Sequence, residues 1–168
     1  MRSIFVQTMK LYSFLFALAV VSGCRHTLCE NSPVTPAFIG FNPADVDTII
    51  VRAFQPNDNY QHLLDTLAII KDSNCYFTTS NDTTIIYFAD FNNQSEIIST
   101  GSDWQIYIPT TNRTITISDI MSQQTEEPVK YCLNPISSFI QDGQLVVPKL
   151  VNSGVYYTSG YLIYITNN

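Results

Sequence analysis

The feature that most constrains this chain is a period of two. From Ala37 onward it breaks into short runs rich in Ile, Val, Tyr, Phe and Thr, separated by clusters of Asn, Asp, Gly, Ser and Pro. In the clearest runs Trp104, Ile106 and Ile108 alternate with Gln105 and Tyr107, and Ile115 and Ile117 with Thr114, Thr116 and Ser118. Successive side chains of a strand point to opposite faces, so such alternation specifies one buried and one wetted face. These two runs, joined through Pro109-Thr110-Thr111-Asn112, predict a β-hairpin.

Strands are expected near 38–41, 46–54, 63–70, 75–78, 83–89, 96–99, 104–108, 113–120, 129–132, 145–147, 155–158 and 161–166. The run Ile85-Ile86-Tyr87-Phe88 is apolar on both faces, as a central strand covered on both sides would be. The stretch from Asn59 to Ile70 carries Tyr60, Leu63, Leu64 and Leu67 at helical spacing, but it also alternates, and we read it as a strand. Asn134 to Ile140, with Pro135 at a helix-start position, leaves room for one short helix. The expected fold class is therefore all-β, an antiparallel β-sandwich or small barrel, formed by a single domain over 37–168.

Chemistry-bearing patterns are sparse. The two histidines, His26 and His62, form no HxxxH, and there is no CxxC, so no metal site is expected. No GxSxG and no GxGxxG occurs, and no cofactor or catalytic residue is assigned. Acids outnumber bases, 14 to 8. That balance repels phosphate backbones and excludes nucleic acid as a natural partner. The acids are scattered, as on an ordinary solvated surface. Tyr156, Tyr157, Tyr161 and Tyr164 cluster near the C-terminus and form the candidate ligand surface, a stacking platform for glycan; filling the core is the plainer role for such residues.

The first two dozen residues specify an address. Arg2 and Lys10 precede an apolar run from Leu11 to Val21, and Ser22 and Gly23 stand directly before Cys24. As a helix the run would be about 16 Å long, roughly half a hydrocarbon core, which suits a cleaved signal better than a permanent span. Val21-Ser22-Gly23-Cys24 resembles the lipobox of bacterial lipoproteins. The resemblance implies a signal peptide over 1–23, cleavage before Cys24 and acylation of its thiol and amine. It places the protein in the bacterial cell envelope as a lipid-anchored protein. The absence of Asp after Cys24, where Arg25 stands, leans toward the outer membrane. Cleavage by an ordinary signal peptidase, giving a secreted protein, is the rival reading; it leaves the cysteine unexplained.

With Cys24 acylated, three cysteines remain. Residues 24–36 are polar with two prolines and read as the lipidated cysteine followed by a flexible tether, reaching at most about 40 Å. Cys29 lies in that tether, whereas Cys75 and Cys132 lie beside strand-like runs, so the expected disulfide is Cys75–Cys132. The functional expectation is a membrane-tethered domain that binds or scaffolds, its partner an envelope protein or a glycan. One alternative is a small envelope enzyme or enzyme inhibitor using surface carboxylates, for which Asp45, Asp65 or Asp90 would have to converge in one pocket. Another is a structural subunit of an envelope assembly, which an exposed edge strand and an apolar patch would support.

Overall fold

A computed structural model describes residues 27–32, 34–71, 75–88, 98–127, 132–152 and 159–167. Its strands are, in chain order, β1 (Thr27–Leu28), β2 (Glu30–Asn31), β3 (Val34–Ile39), β4 (Thr48–Phe54), β5 (Leu63–Ile70), β6 (Cys75–Ser80), β7 (Thr83–Phe88) and β8 (Asp103–Ile108). They continue as β9 (Arg113–Ser122), β10 (Glu126–Glu127), β11 (Leu133–Asn134), β12 (Ile136–Gln141), β13 (Gln144–Val146), β14 (Leu150–Asn152) and β15 (Ser159–Thr166). Two sheets carry the architecture. A six-stranded one runs β13-β12-β9-β8-β4-β5, and a five-stranded one runs β14-β15-β3-β7-β6. All pairs in the first are antiparallel, while β15 and β3 in the second run parallel. The arrangement is a β-sandwich, not a barrel.

The expected alternation is realised in the packing. On β4, Ile49, Val51 and Ala53 are buried, on β8 Trp104, Ile106 and Ile108, and on β9 Ile115 and Ile117. They meet Val34 and Phe38 of β3 and Tyr161, Ile163 and Ile165 of β15 in one apolar core. The β8–β9 hairpin closes through a 3-10 turn at Pro109–Thr111, with Asn112 in the left-handed region at φ 51°. Asn tolerates that conformation better than most residues, which is why the turn can end there. At the far end the sheets are stitched by the Arg113 guanidinium donating to the Thr166 carbonyl. Nearer the middle, Gln141 Nε2 donates to the Tyr164 carbonyl at 2.9 Å.

The short helix does not form. Residues 133–134 and 136–141 are strands, and the ladder between β12 and β9 carries two register irregularities. Those bulges turn both Ile136 and Phe139 inward, a three-residue spacing that imitates a helical face. The only helical turns among the described residues are 3-10, at Pro43–Val46 and Pro109–Thr111. The ambiguous run from Asn59 is a strand over Leu63–Ile70. Of the run expected at 96–99, Ile98 and Ser99 are described and neither is in a strand; the Ile98 carbonyl accepts the Val34 N–H at 2.9 Å.

Two expectations about the cysteines and the tether are corrected together. Cys132 is bonded to Cys29, not to Cys75, with Cα atoms 4.7 Å apart. Cys75 begins β6, the edge of the five-stranded sheet, in register with Phe88. The described part of the supposed tether is folded. Thr27–Leu28 pairs with Glu126–Glu127, Glu30–Asn31 pairs with Leu133–Asn134, and Val34–Pro36 opens β3 inside the five-stranded sheet. Buried Asn134 explains how so polar a segment is accommodated. Its Nδ2 donates to the Cys29 carbonyl at 2.9 Å, its Oδ1 accepts the Thr125 N–H at 2.8 Å, and its own carbonyl accepts from the Ser32 hydroxyl. Backbone groups that would otherwise be orphaned are thereby paired.

This clamp closes a sequence separation of 103 residues. In the chain-entropy account a loop of that size stabilises the fold by about 4–5 kcal/mol. Cys29→Ser should therefore lower the urea midpoint by the equivalent of about 3–5 kcal/mol. A non-reducing peptide map should link the Cys29 and Cys132 peptides; a Cys75–Cys132 link would contradict the fold described here.

Candidate functional site

The residues singled out from sequence do not converge. Tyr161 is in the core, whereas Tyr164, three residues on, is 48% exposed on the other face of β15. An odd spacing on a strand separates them, so they cannot form one stacking platform. Tyr156, Tyr157, Cys24 and Asp90 lie outside the described residues. Asp45 sits in the 3-10 turn before β4, and Asp65 pairs with Ala53 near that strand's opposite end. These two carboxylates therefore share no pocket. Among the described residues no group of three or more His, Cys, Asp or Glu side chains is arranged to hold a metal.

What the fold does assemble is a polar shelf on the outer face of the six-stranded sheet. The register aligns Arg52 with Gln105 and Gln105 with Thr116, and in the next row Ile50 with Tyr107 and Tyr107 with Thr114. Because Ile49, Val51, Ile106 and Ile115 face the core, the residues that alternate with them must face outward. The Arg52 guanidinium lies over the Tyr107 ring, 5.4 Å from its centroid. Such a contact contributes roughly 0.5–1 kcal/mol where exposed, and it leaves a flat cationic donor surface above the sheet. The Tyr107 hydroxyl donates to Asn112 Oδ1 at 3.1 Å.

Residues 55–62 fold back over one end of this shelf. The Gln55 N–H donates to the His62 carbonyl at 3.0 Å, and the Asn57 N–H to Asp103 Oδ2 at 2.9 Å. Tyr60 packs edge-on against Phe54, with ring centroids 5.5 Å apart. Burial raises the Tyr60 phenol above its ordinary value, the carboxylates of Asp103 and Asp142 adding to the effect, while hydrogen bonds with the Thr116 and Ser118 side chains oppose it. The tyrosine thus reaches from the β4–β5 loop across to β9. Asn57, Asn59 and Tyr60 all have positive φ, at 61°, 56° and 60°. For a ring-bearing residue that conformation costs roughly 1–2 kcal/mol, so the surrounding contacts must hold it.

The carboxylates bordering the shelf hold backbone. Asp142 Oδ1 accepts the Thr116 N–H at 2.8 Å, and Asp103 fixes Asn57. Asp58 accepts the Gln61 N–H at 3.2 Å, the His62 N–H at 2.8 Å and His62 Nδ1 at 2.7 Å. Partial desolvation works to raise the Asp58 pKa, but the hydrogen bonds from His62 and Gln61 outweigh it and leave the carboxyl below its ordinary value. These are loop-fixing roles. The side chains that remain (the half-buried Arg52, Gln105 and Tyr107 and the exposed Thr114) suit hydrogen bonding and stacking with a neutral polar ligand.

Sequence reading missed this shelf for an identifiable reason. Alternation placed Gln105, Tyr107, Thr114 and Thr116 on outward faces, but it could not say which strand lay beside which. Arg52 had no partner until β4 was seen to pair with β8. No family model matches the chain, and no curated protein or solved structure matches it significantly.

The depressed Asp58 carboxyl gives a pH dependence with a definite sign. Its contribution to holding the loop is present above the unfolded value of 3.8 and is lost as the pH falls through the lower folded value. Hydrogen exchange at the Gln61 and His62 amides should accelerate, relative to the unfolded-chain rate, below that range. Asp58→Asn should show no such acid step.

Proposed function

We propose that the protein is a lipid-anchored, extracytoplasmic β-sandwich of the bacterial envelope, held at a membrane through acylated Cys24, that binds glycan and does no catalysis. The observation that carries the placement is the Cys29–Cys132 disulfide. A bond that locks the first described strands to the body of the fold suits an oxidising compartment, where it persists without a reductant to open it. It agrees with the basic, apolar and small-residue order that ends at Cys24.

The shelf supports the choice of ligand. Arg52, Gln105, Tyr107 and Thr114 offer donors, acceptors and flat surfaces across adjacent strands, as a polyhydroxylated chain requires. The carboxylates nearby already hold backbone N–H groups, which favours binding over acid–base chemistry. A structural-subunit role draws on a different observation. Leu67 on β5 is 40% exposed.

Two measurements test the reading. Cys24→Ala should move the protein from the membrane to the soluble fraction and remove the acyl mass. Unchanged partition would refute the anchor. The mature domain should be retained on purified envelope glycan, with Arg52→Ala and Tyr107→Ala each weakening retention about 5–10-fold, equivalent to roughly 1–1.4 kcal/mol. Retention of both variants as strong as that of the unsubstituted domain would refute the shelf. A soluble assembly larger than a monomer that Leu67→Lys dissociates would favour the structural role.

A further inference from the structure

The register of the six-stranded sheet sorts its ends. Ile117, Trp104, Ala53 and Asp65 form one row across β9, β8, β4 and β5. Moving from that row toward the end of β9 is moving toward the start of β5, so Met121 lies at the same end of the sandwich as Leu63 and Leu64. The clamp lies there too, because Ser122 pairs with Ile136 and the Gln123 N–H donates to the Pro135 carbonyl at 2.9 Å. By the period of two, Leu28 is turned away from buried Cys29, and Leu133 away from buried Asn134. Leu28, Leu63, Leu64, Met121 and Leu133 are 62%, 54%, 60%, 58% and 45% exposed. Five large apolar side chains stand in water at one end, about 30 Å along the ten-residue strand β9 from the Pro109–Thr111 turn at the other.

That end is also where the chain arrives from Cys24. Cys29 is fixed by its disulfide, by its own N–H donating to the Thr125 carbonyl at 3.2 Å, and by its carbonyl accepting from Asn134. Four residue steps separate Cys24 from Leu28, a reach of at most about 14 Å. The flexible tether of about 40 Å expected from composition is thus replaced by a short leash. A domain so held cannot keep this end far from the lipid.

We infer that the clamp end of the sandwich is a membrane-docking surface, on which Leu28, Leu63, Leu64, Met121 and Leu133 rest against the head-group region of the bilayer that anchors Cys24. The inference rests on the lipid-anchor reading above. The occupant is a bilayer of zwitterionic head groups, because residues 24–168, with 14 acids against 6 bases, are repelled by an anionic surface. A single leucine side chain contributes only a little at such an interface; the acyl anchor supplies the high local concentration that makes shallow contacts count. The shelf, carried on the sheet's outer face along the strands, is left standing beside the membrane and open to the aqueous phase.

The test uses the mature, acylated protein in phosphatidylcholine vesicles containing lipid brominated on its acyl chains. Leu133→Trp and Thr111→Trp each add a reporter at an exposed position, one at each end, and the emission of Trp104 is subtracted using the unsubstituted protein. Bromolipid should quench the Leu133→Trp emission about twofold and leave Thr111→Trp unchanged. Adding Leu28→Glu and Met121→Glu to Leu133→Trp should abolish the quenching while intact mass shows the acyl chains still present. Acylated protein with neither reporter quenched, or both quenched alike, overturns the docking surface and leaves the anchor standing. Unacylated Cys24 overturns both.

Discussion

The sandwich depends on seating β3, a strand from near the start of the described residues, inside its five-stranded sheet. β3 lies between β15, almost the last segment described, and β7. Its register with β15 runs from Val34 opposite Tyr161 to Ile39 opposite Thr166. Val34, Ala37 and Phe38 are buried there, so without β3 the core loses one wall. Pairing across so many intervening residues has a large entropic cost before any contact offsets it. The Cys29–Cys132 bond and Asn134 reduce that cost by fixing the segment that leads into β3.

The same constraint organises the surface. Because the entry segment is tied down rather than loose, the position of Cys24 relative to the fold is bounded by a few residues. The two ends of the molecule therefore become inequivalent. One carries the clamp and a set of exposed leucines; the other carries polar turns, with Asn167 Nδ2 donating to the Gly40 carbonyl and Arg113 reaching Thr166. Between them the outer face of the six-stranded sheet offers its row of Arg52, Gln105 and Thr116. The difference between the two ends follows from one folded segment, residues 27–39, tied to the body by the disulfide and by strand pairing.

The residues 55–62 show how the shelf is kept open in one place and closed in another. Asp58 gathers the backbone of its own loop, Asp103 takes the Asn57 N–H, and Tyr60 is pressed against Phe54 in a backbone conformation it would not choose alone. Each of these contacts is individually small. Together they make the loop a wall of the shelf at the end nearer the clamp.

Local sequence sufficed for what depends on neighbours along the chain. Alternation in 104–108 and 113–118 set the inward faces and the hairpin, and β5 was legible because Asp65, Leu67 and Ile69 alternate through a run that also fits a helix. The lipobox resemblance at Val21-Ser22-Gly23-Cys24 rests on residue order and length alone. The tertiary structure decided what depends on which segments meet. Polar residues with two prolines resemble a tether until Asn134 supplies their hydrogen bonds, and cysteine spacing is silent about connectivity. A bulged strand with inward residues three apart passes for a helix until the ladder is laid beside it. Arg52 and Tyr107 become a pair only when β4 and β8 align. Side-chain period is a property of one strand, whereas register, disulfide partners and shared surfaces belong to pairs of segments distant in sequence, and no local pattern encodes them.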